Sequence, residues 1–215
     1  MVINLTEQKI YAYTKDENGK LILSNEFDSK VGEKTGLLDG SAGNFKTKTG
    51  FYRVTEIHEN YTTPSYTTSA STFFGSFNAP FGKFAIKMGP NASGQWMHGT
   101  TRLLGDLSVL TGIGSGSHGC IRMTNSGIED IALNIAAGTP IIRIYADKVT
   151  RNGESYETEN IYNYADFNGR TFDPEKLTLI GPEKSFLSPT NAEHGGETNY
   201  KSSLKELGFT LVEQR

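Results

Sequence analysis

The chain has 215 residues, 36% of them hydrophobic and 21% charged, which is enough apolar sequence for one large domain or one domain with an extension. A net charge of −3 provides no basic field and argues against a nucleic acid partner. No apolar run approaches the roughly 18 residues of a membrane-spanning helix, and the first residues lack the basic and apolar regions of a signal peptide.

The first half of the chain carries the apolar patterns of β-strands. Residues 10–13 and 21–23 are short apolar runs, and Asn18-Gly19 between them is typical of a tight hairpin. Residues 51–57 are rich in aromatic and β-branched side chains, and residues 83–88 alternate apolar side chains with lysines. The sequence therefore predicts a mostly β fold.

Residues 61–72 show neither helical nor strand periodicity, so we expect a loop there. This loop either lies over a pocket or is a solvated connection, and the sequence leaves both interpretations open. The phenylalanines that follow are interpreted as core residues: Phe73, Phe74, Phe77, Phe81 and Phe84.

The single cysteine, Cys120, lies beside His118 and Arg122, in a setting that favours the reactive thiolate. Gly119 permits a tight backbone bend, which can direct nearby amides at one point as an oxyanion hole does. His98, upstream of Cys120, is placed to lie on a neighbouring strand and to act as the base. The alternative is that Cys120 is only a small buried hydrophobe.

A zinc site is a second possibility at these residues. His98, His118 and Cys120 are the residue types of a site with three protein ligands. Neither a fourth ligand nor a general-base glutamate lies nearby in the sequence, so we predict no metal.

The sequence predicts little helix. The glycines of residues 99–116 argue against a long helix there and favour short turns at 102–104 and 107–110. One main helix is predicted over about 126–137, with a capping box of Ser126 and Glu129 at its start and Gly138 at its end.

The composition changes near residue 147, after which Asn, Glu, Tyr and Thr become frequent. Residues 149–215 are therefore predicted to be a C-terminal extension of unknown role. It is expected to contain a short helix over 200–207, ended by Gly208. His194 has no metal-ligand spacing to another His or Cys and is interpreted as a loop residue.

Four segments occur in a characteristic order: Thr47-Lys48-Thr49-Gly50, Asn78-Ala79-Pro80-Phe81-Gly82, His98-Gly99-Thr100 and Ser117-His118-Gly119-Cys120-Ile121-Arg122-Met123. Together they resemble the L,D-transpeptidases, the cysteine enzymes that cross-link bacterial peptidoglycan. The first segment is similar to the family's Thr-Pro-x-Gly strand entry, with Lys48 in place of proline. The resemblance covers roughly residues 1–148 and implies a catalytic domain there. The implied fold is a mixed β sandwich or partly closed barrel with one main helix after the cysteine.

The resemblance also implies a mechanism that needs no cofactor. Cys120 would attack the carbonyl between meso-diaminopimelate and D-alanine in a peptidoglycan tetrapeptide stem, and His98 would move the protons. The residues implied to shape the oxyanion hole are Ser117, His118 and Gly119. Those implied to bind substrate are Trp96, Gly99 and Arg122, although a plain salt bridge is the alternative role for Arg122. Residues 61–77 would fold over the pocket as a lid.

Several questions about function stay open at this stage. The acyl-enzyme can pass to a stem amine, to water, to a D-amino acid or to a protein, which gives cross-linking, L,D-carboxypeptidase trimming, exchange or attachment of that protein. The resemblance implies the cell envelope, the periplasm or secretion as the location, and an exported wall-targeting toxin would use the same chemistry. A silent envelope-binding module is the non-enzymatic alternative. The oligomeric state is not predicted.

Overall fold

The computed structural model describes residues 1–32, 47–61, 81–89, 95–100, 103–111, 117, 119–158, 169–182, 194–196 and 200–214. The chain divides into two compact units, each assembled from separate stretches of sequence. The first unit contains Met1–Glu26, Lys48–Tyr52 and Ile141–Arg215, and the second contains Phe27–Thr47 and Arg53–Pro140.

Strands dominate the described residues. In chain order they are β1 (Val2–Asn4), β2 (Lys9–Lys15), β3 (Leu21–Asp28), β4 (Thr49–Glu59), β5 (Phe84–Gly89), β6 (Met97–His98), β7 (Ile121–Arg122), β8 (Pro140–Ile144), β9 (Lys148–Arg151), β10 (Glu154–Glu157), β11 (Thr171–Asp173), β12 (Thr178–Pro182), β13 (His194–Gly196) and β14 (Thr210–Gln214). The helices are α1 (Leu103–Thr111), α2 (Asn125–Asn134) and α3 (Tyr200–Glu206).

In the first unit, strands β3, β2, β1 and β8 lie side by side in that order. β1 is antiparallel to β2 and parallel to β8, with Ile3 opposite Ile10 on one side and opposite Arg143 on the other. The predicted hairpin between β2 and β3 is present. Its turn is held by Asp16, whose Oδ1 accepts the amides of Asn18 and Lys20 at 2.9 and 2.8 Å.

A second sheet in this unit has the strand order β10-β9-β11-β12-β14. Apolar side chains of this sheet, of β1, β2, β8 and the start of β4, of α3 and of the chain between these elements form one core: Val2, Tyr11, Phe51, Ile142, Ile144, Ala146, Phe172, Leu177, Leu179, Leu204 and Phe209. The C-terminal residues therefore share a core with the first strands. The predicted functional division at residue 148 stays a prediction. β13 pairs in parallel with the start of β4, so His194 lies in a strand and its interpretation as a loop residue is wrong.

In the second unit, β4, β5, β6 and β7 are neighbours in that order. β5 is antiparallel to both β4 and β6, whereas β6 and β7 are parallel. A parallel pair needs a crossover connection, and α1 lies within it.

Helix α1 runs continuously through Gly105, where the sequence predicts only two separate turns. A glycine inside a helix costs about 1 kcal/mol relative to alanine, which packing can offset. Val109 is buried on this helix, and the Asp106 carboxylate accepts hydrogen bonds from the Thr100 hydroxyl and the Asn125 amide. These contacts with distant residues stabilise a helix that propensity alone does not predict.

Helix α2 is the predicted main helix, but its ends differ from those predicted. The N-cap is Thr124, whose Oγ1 accepts the Gly127 amide at 3.1 Å, and Ser126 is exposed. Glu129 forms an ion pair with Lys83, so it is not available for a capping box with Ser126. The helix ends at Asn134, three residues before the predicted end.

The mostly β prediction is confirmed, and both units contain mixed, open sheets with few helices. Among the residues that the structure describes, no helix has the length and apolar character needed to cross a membrane.

Candidate active site

Two neighbouring strands carry the predicted base and end the segment of the predicted nucleophile. His98 in β6 lies opposite Arg122 in β7, and the Ile121 amide donates to the Trp96 carbonyl oxygen at 2.8 Å. Side chains alternate between the two faces of a strand, so His98 and Arg122 project from one face. Trp96 directly precedes β6, and Cys120 directly precedes β7.

His98 is held as a neutral imidazole. Its side chain is buried, with 7% of its surface exposed, and its Nδ1 lies 2.6 Å from the Gly99 carbonyl oxygen. A carbonyl only accepts, so Nδ1 carries the proton and Nε2 has a free lone pair. Burial lowers the pKa of His98 from 6.5 to about 4; the Gly99 hydrogen bond opposes this, and the positive charge of Arg122 adds to it. At neutral pH His98 can accept a proton at Nε2.

The backbone before the thiol forms a closed hydrogen-bonded turn. The Gly119 amide donates to Ser117 Oγ at 3.1 Å, and that hydroxyl donates to the Cys120 carbonyl oxygen. Gly119 has φ +105°, a conformation that favours glycine. Cys120 itself is half-buried. Two of the residues predicted to shape the oxyanion hole, Ser117 and Gly119, thus order the backbone on which the thiol is carried.

Arg122 is paired through its backbone with a separate segment. Its amide and carbonyl exchange hydrogen bonds of 2.8 Å with the carbonyl and amide of Lys30. The Arg122 side chain is half-buried, and its charge lowers the pKa of His98. The guanidinium is therefore held on the face that carries the imidazole.

Trp96 belongs to an aromatic cluster beside His98. Its ring centroid is 5.4 Å from that of Phe81 and 5.5 Å from that of Tyr61, and the Lys87 ammonium lies 5.0 Å from it. The Phe81 ring meets His98 edge to face at 5.1 Å. Phe81 is half-buried in this cluster, so its interpretation as a core residue is wrong; the same interpretation holds for the buried Phe84.

Other predicted features lie outside the described residues: His118, residues 62–77 of the lid with Phe73, Phe74 and Phe77, and residues 78–80. Within the residues that are described, no group of three or more His, Cys, Asp or Glu side chains is arranged to hold a metal ion.

A sequence model of the YkuD family, described as the L,D-transpeptidase catalytic domain, matches residues 1–142. This chain belongs to the L,D-transpeptidase family. The family membership predicted from the four segments is thereby confirmed. A search of curated proteins gave no match.

Solved structures of L,D-transpeptidases are also similar to this chain, and each comparison covers 66% of it. The protein from Mycobacterium smegmatis has 15% identity and a TM-score of 0.43 over 57% of its chain. That from Xylanimonas cellulosilytica DSM 15894 has 16% identity and a TM-score of 0.40 over 58%, and that from Mycobacterium tuberculosis H37Rv has 12% and 0.40 over 56%. This chain spans little more than half the length of these structures.

Two residues of this L,D-transpeptidase domain contact Gly119, in the turn before Cys120, but were not predicted as site residues. Thr47 Oγ1 donates to the Gly119 carbonyl oxygen at 2.9 Å and accepts the Gly32 amide at 2.8 Å. The buried Gln95 packs so closely that a Cβ on Gly119 would lie 2.7 Å from its Nε2. Thr47 opens one of the four segments, which is a signal that could have found it. No pattern in the sequence distinguishes Gln95.

Proposed function

We propose that this chain is a cysteine acyl transferase that acts on peptidoglycan tetrapeptide stems. The observation that carries the proposal is the setting of His98: it lies opposite Arg122 of the strand that follows Cys120, with Nδ1 of the imidazole held by Gly99 and Nε2 left to accept a proton. A thiol nucleophile and a base on neighbouring strands are the minimal pair for acyl transfer.

In the first step, the Cys120 sulfur bonds to the carbonyl carbon between meso-diaminopimelate and D-alanine as its proton moves to His98 Nε2. With a pKa near 4, His98 is neutral before the substrate binds and can take up a proton. The proton therefore moves as the sulfur attacks, and the imidazolium forms only once negative charge has developed nearby.

The carbonyl oxygen becomes an oxyanion as the sulfur bonds. Backbone amides of the turn from Ser117 to Cys120 are proposed to stabilise it, with His118 contributing to the shape of this hole. When the intermediate collapses, the C–N bond breaks, His98 returns the proton to the departing nitrogen, and D-alanine leaves. A thioester on Cys120 remains.

Arg122, Trp96 and Gly99 are proposed to contact the substrate. The Arg122 guanidinium can hold a stem carboxylate through two parallel hydrogen bonds. The Trp96 ring offers a flat apolar surface in the aromatic cluster beside His98. The same chemistry places the protein at the cell wall, in the periplasm or outside the cell.

The acceptor decides the final product. An amine of a second stem would give a cross-link, water would give a tripeptide, and a D-amino acid would give exchange. We propose the stem amine, in line with the L,D-transpeptidase family to which the chain belongs.

The test is incubation of the protein with purified tetrapeptide stems, with products identified by mass. We expect released D-alanine and cross-linked dimers from the wild type, and neither from Cys120→Ala. Tripeptide without dimer would replace the transferase assignment by carboxypeptidase trimming. Absence of D-alanine release, with Cys120 reacting no faster than free cysteine towards an alkylating agent, would instead support a silent envelope-binding module.

A further inference from the structure

One side chain, that of Asn125, joins three segments that are far apart in the sequence. Its Oδ1 accepts the Lys83 amide at 2.8 Å, and its Nδ2 donates to the Thr100 carbonyl oxygen at 2.8 Å. Asn125 itself is the first residue of α2, shortly after Cys120. The amide thus links the chain after Gly82, the chain after His98 and the helix that follows the thiol.

The contacts around this amide leave no room for movement. A Cβ added at Gly82 or at Gly99 would lie 2.4 Å from Asn125 Oδ1, a distance that real Cβ atoms do not adopt. Both glycines are buried. The Asn125 side chain therefore packs directly on the Gly99 backbone.

The Asp106 carboxylate binds both Thr100 and Asn125. It accepts the Thr100 hydroxyl and the Asn125 backbone amide, the latter at 3.2 Å. Thr100 is therefore held through its carbonyl by Asn125 and through its hydroxyl by Asp106. Gly99 lies between this fixed residue and His98.

Gly99 determines which ring nitrogen of His98 carries the proton. Its amide donates to the Phe84 carbonyl oxygen at 3.1 Å, and its own carbonyl accepts from His98 Nδ1. If the peptide after Gly99 rotates, the carbonyl leaves Nδ1, and the proton can then move to Nε2. A histidine protonated at Nε2 cannot take a proton from a thiol.

We propose that Asn125 is a positioning residue for His98: by holding Thr100, whose nitrogen shares a peptide with the Gly99 carbonyl, it keeps that carbonyl against Nδ1 and the imidazole in the tautomer that leaves Nε2 to accept a proton. In this role Asn125 acts through Thr100 and Gly99. The catalytic use of that tautomer rests on the proposed function, whereas the effect of Asn125 on the tautomer does not.

The test reads the tautomer directly. Protein labelled with ¹⁵N-histidine contains four histidines, and the His98 signals are assigned by comparison with His98→Gln. Long-range ¹H–¹⁵N spectra distinguish an Nδ1–H from an Nε2–H imidazole, and a titration gives the pKa of His98. The variants are Asn125→Ala and Asn125→Asp, of which the second keeps the side-chain shape but, when ionised, cannot donate to Thr100.

Asn134→Ala is the matched control, because Asn134 lies on the same helix and, among the described residues, its Nδ2 donates to Asp130 of that helix. We expect wild type and Asn134→Ala to show the Nδ1–H tautomer. Asn125→Ala should show a mixture of tautomers and a His98 pKa below that of wild type, because the Gly99 hydrogen bond, which favours the imidazolium, is weakened. Acylation of Cys120 by a carbapenem should slow by up to about 10²-fold in this variant, the cost of misplacing a reacting group.

The proposal is overturned if both Asn125 variants keep the wild-type tautomer, or if Asn134→Ala loses it equally. Should Asn125→Ala fail to fold by circular dichroism, Asn125→Asp decides. If no protein of the series is acylated, the proposed function fails, whereas the tautomer comparison still decides the role of Asn125.

Discussion

His98 and Gly99 are adjacent in sequence and also hydrogen-bonded, with Nδ1 of the imidazole 2.6 Å from the carbonyl oxygen of its neighbour. Gly99 therefore determines which ring nitrogen of His98 can accept a proton. Burial of His98 in the same place keeps the ring uncharged, because an imidazolium there would lose its hydration. Together these two effects keep His98 neutral at neutral pH, with Nε2 available to accept a proton.

The buried imidazole should make folding sensitive to acid. The unfolded chain binds a proton at His98 below pH 6.5, whereas the folded chain resists it until about pH 4. The free energy of unfolding should therefore fall as pH decreases through this window, by about 2 to 3 kcal/mol at pH 4.5. Urea unfolding of wild type and His98→Gln at pH 7.5 and 4.5 measures this decrease, which should be smaller in the variant.

His58→Gln is the control, because His58 lies at a partly exposed strand position, and it should behave as wild type. An equal decrease in the free energy of unfolding in all three proteins would show that His98 is not protected from protonation.

Removal of the base should slow acylation without removing the fold. His98→Ala is expected to reduce the acylation rate by roughly 10²–10⁴-fold, as for other general bases, and His118→Ala by less. Stopped-flow measurement of adduct formation on Cys120 compares them. A large loss in His118→Ala together with wild-type rates in His98→Ala would assign the base to His118.

A carbapenem should form a covalent adduct on Cys120. An acyl-accepting thiol opens the strained lactam by the same attack that it makes on a stem, and the resemblance to the L,D-transpeptidases favours carbapenems over penicillins. Intact-mass spectra after prolonged exposure should show one added carbapenem in wild type and none in Cys120→Ala. An unmodified wild type would remove most of the support for an acyl transferase.

Thr47→Val should destabilise the turn before Cys120. Valine keeps the shape of threonine but leaves the Gly119 carbonyl and the Gly32 amide without their hydroxyl partner. Such buried unpaired groups cost about 1–3 kcal/mol each, so the free energy of unfolding should fall and acylation should slow. Thr55→Val, at an exposed position of β4, is the control for both measurements and should match wild type. If the two variants are equally stable and equally reactive, the Thr47 hydroxyl does not order the turn.

Local patterns predicted the features that depend on neighbours in sequence. Asn18-Gly19 predicted the hairpin because its turn needs a residue with positive φ, which Gly19 provides at +78°. The segments around His98 and Cys120 predicted the family.

Features that depend on distant partners were missed. The start of α2 was misplaced because Glu129 pairs with Lys83, which lies on another segment. Two short turns were predicted in place of the continuous helix α1, because nothing in its own sequence shows that Asp106 accepts hydrogen bonds from Thr100 and Asn125. Thr47 lies in a predicted segment, but its contact with Gly119 depends on how β4 approaches the turn. In each case a hydrogen bond or ion pair across many residues decides the outcome.

Trp96 is the only tryptophan of the chain, and it directly precedes the strand that carries His98. Its indole contacts the Phe81 and Tyr61 rings and lies beside the Lys87 ammonium, and the Phe81 ring also meets His98. The intrinsic tryptophan fluorescence of this protein therefore arises entirely from the aromatic cluster beside His98. Binding at the candidate active site can therefore be followed in the unlabelled protein through the emission of Trp96. A Trp96→Phe variant, which has no tryptophan, is the reference.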